Sequence, residues 1–156
     1  MPVHPLPASL ACARDVATRA RPRVDQAQKD RHGVTVITFL PADELLSLND
    51  RRHRMATARI GKAWREQAWA HAMEQVPPPR YMGPSVVDVE LPVTTRRRAD
   101  SSNLFLTVKY IVDGFTDAGC WPDDDDRFVY VGSPRRVVGA ELVVVTITPW
   151  RQELVA

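Results

Sequence analysis

The chain has 156 residues, 44% of them hydrophobic and 26% charged, with a net charge of only +2. That is enough for one domain with a genuine core, and the small net charge does not by itself announce a nucleic-acid binder. No apolar run approaches the roughly 20 residues of a membrane span, and the N-terminus lacks a compact apolar signal core, so a cytoplasmic protein is expected. Cys12 and Cys120 are far apart and fit two unpaired thiols in a reducing compartment.

Residues 1–32 are rich in Pro, Ala and Arg without a period, and read as a flexible extension ahead of a domain spanning 33–150. The run Val34–Leu40 is β-branched and closed by Pro41, which predicts a strand. A polar, basic loop then leads into a helix over Thr57–Gln75, where Ile60, Trp64, Ala68 and Ala72 recur every fourth residue. The prolines at 77–79 end it.

Strand periodicity returns over Ser85–Val93. Val87, Val89, Leu91 and Val93 fall on one face, Asp88 and Glu90 on the other. The segment TTRRRADSSN supplies helix-capping chemistry at Asp100, Ser101 and Ser102. The following helix carries the stripe Leu104, Val108, Ile111, Val112, Phe115 and Ala118 and stops near Gly119. After the tight connection CWPDDDD, two more strands are expected near Arg127–Val131 and Ala140–Thr148, then a tail at 151–156. The order predicts an α/β (or α+β) layer, two helices packed on a small mixed sheet.

Charge is distributed in patches. Arg51, Arg52 and Arg54 form one basic cluster, Arg96, Arg97 and Arg98 another, and Asp123–Asp126 are four consecutive carboxylates. Gathered carboxylates repel one another unless they are solvated or bound to a cation. Magnesium takes oxygen ligands and keeps several waters, so two or three aspartates suffice to hold it. From pattern alone, a solvated acidic turn and an exposed arginine loop explain the same residues. The helix between Asp100 and the acidic run also separates its own ends by roughly 25 Å, so one subunit need not bring them together, whereas a homodimer or a crossing of strand ends would.

The string RRRADSSNLFLTVKYIVDGFTDAGCWPDDDD resembles the signature of the RusA family of Holliday junction resolvases. That signature is an arginine-rich run, D-x-D-N, a helix ending in a D-A-L-x-x-A-G-like phrase, then W-x-D-D. The matching positions are Arg96–Arg98, Asp100, Asn103, Asp113, Ala118, Gly119, Trp121, Asp123 and Asp124, and SLNDRRHRM, containing Asn49, resembles the family's N-terminal segment. The resemblance covers Val34–Thr148.

It implies a RusA-like fold and a homodimer that binds four-way DNA junctions and cuts opposed strands with Mg²⁺ or Mn²⁺. Asp100, Asp123 and Asp124 would be the metal or water-activating carboxylates, and Asn103 would order its loop. Asn49, Arg51, Arg52, His53 and Arg96–Arg98 would contact DNA, and a phage or prophage origin would be unsurprising. Two departures stand out. Ser102 occupies the place of the second aspartate, which removes a charge from the site. The family's lysine, three residues after the asparagine, is Leu106 here, with Lys109 one turn later. Lys109 is either the equivalent phosphate-contacting group or half of an ordinary i,i+4 ion pair with Asp113. Asp113 itself reads as structural. Trp64 fits the core, Trp69 an interface or a partly exposed position, and Trp121 packing beside the turn. Besides a nuclease, a non-catalytic junction-binding protein and a plain interaction domain remain open.

Overall fold

The computed structural model describes residues 33–95 and 99–150. Strands β1 (Thr35–Phe39), β2 (Ser85–Val93), β3 (Val129–Val131), β4 (Arg135–Val138) and β5 (Val143–Pro149) form one mixed sheet, and helices α1 (Arg54–Gln75) and α2 (Phe105–Asp117) pack with it. The order is β1-β5-β2-β3, with β4 also on β2. β1 and β2 flank β5 in antiparallel register, while β3 and β4 lie parallel to successive stretches of β2.

The side-chain period of two explains which residues form the core. Ile37, Val145 and Val89 lie in one cross-strand row and Ile147 stands opposite Val87; all five are buried with the helix stripes. Asp88, one residue out of phase, is exposed. Glu90 takes an ion pair from Arg135, its register partner on β4, at 3.0 Å. From α1 come Ile60, Trp64, Ala68 and Ala72, and from α2 Val108, Ile111, Val112 and Phe115. The strand over Ser85–Val93 has the limits that its alternation predicts.

The helices approach closely at two glycines. A Cβ on Gly61 would fall within the Tyr110 ring, and one on Gly114 would meet the Arg65 carbonyl and Ala68. Close packing leaves no room for either. This contact brings the outer faces of α1 and α2 side by side, which matters for the site below.

Three expectations need correction. Helix α1 begins at Arg54, three residues before Thr57, because His53 is its N-cap, with Nδ1 accepting the Met55 amide at 3.3 Å; histidine is not among the preferred capping residues. Arg54 therefore belongs to the helix, not to the basic loop. Strand β4 was not anticipated: its burial shows no alternation, and it opens on two arginines. The other two strands are displaced. β3 begins at Val129 because Asp125–Phe128 is taken up by a turn in which the Phe128 and Val129 amides both donate to the Asp125 carbonyl at 3.0 Å, and β5 covers Val143–Pro149. No helix among the described residues is long and apolar enough to cross a membrane.

Candidate active site

The entry to α2 is fixed by neutral hydrogen bonds. Thr107 Oγ1 accepts the Leu46 amide at 2.7 Å and donates to the Leu46 carbonyl at 3.0 Å, both buried. The Leu48 amide donates to the Asn103 carbonyl at 2.8 Å, and Asn49 Nδ2 donates to Asn103 Oδ1 at 3.1 Å. Trp64 of α1 tethers the same loop from its other side, its indole N–H donating to the Glu44 carbonyl at 2.9 Å. Asn49 and Asn103, 54 residues apart, therefore meet at one exposed position.

Asp100 begins the 3₁₀ turn Ser101–Leu104, its Oδ1 accepting the Ser102 amide at 2.9 Å. The Ser102 hydroxyl and then its amide hold the Asp100 carboxyl below its ordinary value. Ser102 thus supplies donors to the first carboxylate of the motif where a second carboxylate would have repelled it.

Along the outward face of α2, Lys109, Asp113 and Asp117 follow at intervals of four. The Lys109 ammonium donates to Asp113 Oδ1 at 3.2 Å and to Asp124 Oδ2 at 3.3 Å. Its pKa is raised, first by the bond to Asp113, against partial burial, and further by Asp124. Burial opposes ionisation of Asp124, yet Lys109, together with hydrogen bonding that involves Asp113 and Asp123, outweighs it and leaves the carboxyl below its ordinary value. Asp113 is the more enclosed partner, its side chain 14% exposed. Next along the face, Arg65 of α1 grips Asp117 with two bonds, 2.5 and 2.8 Å, and is also within the field of Asp113 and Asp124.

The four aspartates do four different things. Asp123 Oδ1 accepts the Asp124 amide at 2.8 Å, and Asp124 meets Lys109. Asp125 is bound through both carboxylate oxygens to Arg127. Asp126 is exposed. The run is therefore not one uniformly solvated turn.

The basic residues divide as well. Arg52 is held by Glu44 at 2.5 Å and Asp50 at 2.8 Å, so its charge is largely spent locally. Arg51 and Arg54 are exposed. His53 uses Nδ1 in the helix cap, which leaves Nε2 as the nitrogen for an external contact. Arg96, Arg97 and Arg98 lie outside the described residues. Trp121 is buried and donates to the Gly83 carbonyl at 3.0 Å, as expected for packing; Trp69 is 44% exposed.

Asp113, Asp117 and Arg65 are the residues that sequence reasoning left out of the site. The four-residue spacing of Lys109, Asp113 and Asp117 signalled a shared helix face; nothing signalled that Asp124 would fold back onto it.

Among the described residues, no group of three or more His, Cys, Asp or Glu side chains is placed to hold a metal ion. The neighbouring exposed carboxylates Asp123 and Asp124 nevertheless fit magnesium's habit of taking one or two protein carboxylates and keeping its remaining waters. The chain matches no known protein-family model, and it matches no curated protein.

Proposed function

We propose that this protein is a metal-dependent, structure-specific DNA endonuclease that cleaves four-way junctions as a homodimer. The observation that carries the reading is the meeting of Lys109 with Asp124 at 3.3 Å beside Asp113. It joins the two halves of the resolvase-like signature, the helix after Asp100–Asn103 and the W-x-D-D segment, at one exposed place.

In this reading Asp123 and Asp124 would hold Mg²⁺, with Asp100 contributed from the turn that precedes α2 or from a second copy. The ion, when bound, supplies Lewis-acid polarisation of the phosphoryl group and a more acidic attacking water. Lys109 keeps Asp124 ionised and turned outward, and its ammonium offers remaining N–H donors to a phosphate oxygen. The Asn49–Asn103 pair fixes the loop that carries Arg51 and His53 against α2, so that their contacts to the DNA backbone have a defined register. Arg51 and Arg54, exposed and without an ion pair among the described residues, provide positive charge for that backbone.

A second reading has an observation of its own. Ser102 stands where the signature has a carboxylate, and it hydrogen-bonds Asp100. A protein with that substitution would keep junction binding and lose cutting.

Incubation of the purified chain with a labelled synthetic four-way junction, in Mg²⁺, Mn²⁺ or EDTA and beside a linear duplex, separates these readings. Symmetric, metal-dependent nicking of the junction alone is the expected result. Tight binding without cutting selects the non-catalytic protein, and neither binding nor cutting removes both.

A further inference from the structure

Where the end of α1 meets the ends of the sheet strands, a cavity of about 370 Å³ opens between Val76, Pro79, Met82, Ile147 and Pro149. Its volume is within the roughly 300–1,000 Å³ of small-molecule sites. Arg80 is the one charged side chain among the described residues that line it. Among the described residues its guanidinium makes one hydrogen bond, from Nη2 to the Met73 carbonyl at 3.2 Å, which satisfies a carbonyl near the end of α1. Its Nε is buried and has no hydrogen-bond partner, and no ion pair joins Arg80 to any carboxylate among the described residues.

Arg80 is partly exposed, and its Nε is shielded from solvent and ligand alike, so an occupant would be met by the terminal Nη nitrogens. A lone positive charge on an otherwise uncharged lining favours an anion that also fills the apolar space. Buried Cys120 is close enough to feel the guanidinium, but burial pushes its thiol up to about 11, so it is neutral and provides no charge. The Ser85 hydroxyl is committed to the Gly83 carbonyl at 2.9 Å. With one guanidinium and apolar walls, the site suits a singly charged, planar head group, which guanidinium binds as a fork. A phosphate would demand more donors than the cavity lining offers.

We propose that this cavity binds an apolar monocarboxylate, the carboxylate on Arg80 and the hydrocarbon body against Val76, Met82 and Ile147. The site is separate from the acidic face of α2 and does not depend on the nuclease reading. It adjoins the segment that leads to that face, because the Met82 amide donates to the Cys120 carbonyl at 3.0 Å and the Trp121 indole to the Gly83 carbonyl.

The test is an NMR titration of the ¹⁵N-labelled full chain with octanoate, with 1-octanol as the neutral equivalent of the same length, and with inorganic phosphate. Octanoate is expected to shift the Val76, Met82, Ser85 and Ile147 amides and the Trp121 indole saturably, at least tenfold more tightly than octanol. Arg80→Met should erase that preference and Arg80→Lys should retain part of it. Equal binding of octanol, phosphate binding as tight as octanoate, or octanoate binding unchanged in Arg80→Met would each overturn the proposal, as would no shift at all. Should Arg80→Met fail to fold, the comparison of octanoate with octanol on the wild-type chain and on Arg80→Lys decides the matter.

Discussion

The buried entry of α2 and its outward face are built from different interactions. At its entry, Thr107 bonds both backbone groups of Leu46 out of contact with water, and Trp64 beside it is fully buried. On its outward face, Lys109, Asp113 and Asp117 form ion pairs with one another and with Asp124 and Arg65, and apart from the enclosed Asp113 these side chains are well exposed, that of Lys109 61%. Buried neutral bonds fix geometry because each lost partner leaves a desolvated group behind. Exposed ion pairs contribute at most about 1 kcal/mol. Stability and function should therefore separate along this one helix, and substitutions on either side are the way to find out.

The largest effect belongs to the entry. Trp64→Ala removes a fully buried indole together with its bond to Glu44 and should cost about 3–5 kcal/mol, read as a lower urea midpoint. A loss under about 1 kcal/mol would mean that the loop before α1 is not anchored as described.

Next comes Asp124→Asn on the outward face. Under the proposed nuclease reading, junction cleavage should fall at least about 100-fold, equivalent to about 2.7 kcal/mol of barrier, while stability in urea changes by less than about 1 kcal/mol. Junction binding in EDTA should be kept or tightened, since a repulsive charge near phosphate is gone. Normal cutting by this variant would remove Asp124 from the site.

Thr107→Val keeps the shape of the side chain and deletes its hydroxyl, leaving the Leu46 amide and carbonyl unsatisfied. A loss of about 1–3 kcal/mol is expected. Because Leu46 and Leu48 tether the loop carrying Asn49, junction affinity should weaken in the same variant. A stability loss with unchanged affinity would uncouple that loop from DNA.

Much of the fold was legible because burial and period coincide. The strand at Ser85–Val93 and the stripe on α2 were readable from alternation and four-residue spacing alone. Strand β4 was not, because neither of its faces is buried and periodicity reports only burial. In the site, the Lys109–Asp113 pair follows from helical spacing, and it occurs as such. The Lys109–Asp124 contact spans 15 residues and depends on how the Cys120–Asp124 segment turns back along α2. Likewise Arg65 reaches Asp117 only because Gly114 lets α1 come close; a glycine in a sequence does not name the helix that will press against it. Asp100 was identified through the resemblance, and the structure adds what its carboxylate does locally, accepting the Ser102 amide.

The smallest effect should come from Arg65 and Asp117, and its pH dependence is what identifies it. Asp117 is held below its ordinary carboxyl value, first by the bond from Arg65, against partial burial. A depressed pKa contributes stability that is present above the unfolded-state value, about 3.9 for Asp, and is lost as pH falls through the folded-state value. Arginine stays charged throughout this range, so the titration belongs to Asp117 alone. With the Asp117 side chain 41% exposed, solvent screening limits the contribution to a few tenths of a kcal/mol. Urea midpoints of wild type and Asp117→Asn should therefore differ by a small, constant amount from about pH 5 to 9 and converge in strong acid. A gap of several kcal/mol, or one that widened on acidification, would mean that this face of α2 bears structural load like the entry, and the division between entry and outward face would not hold.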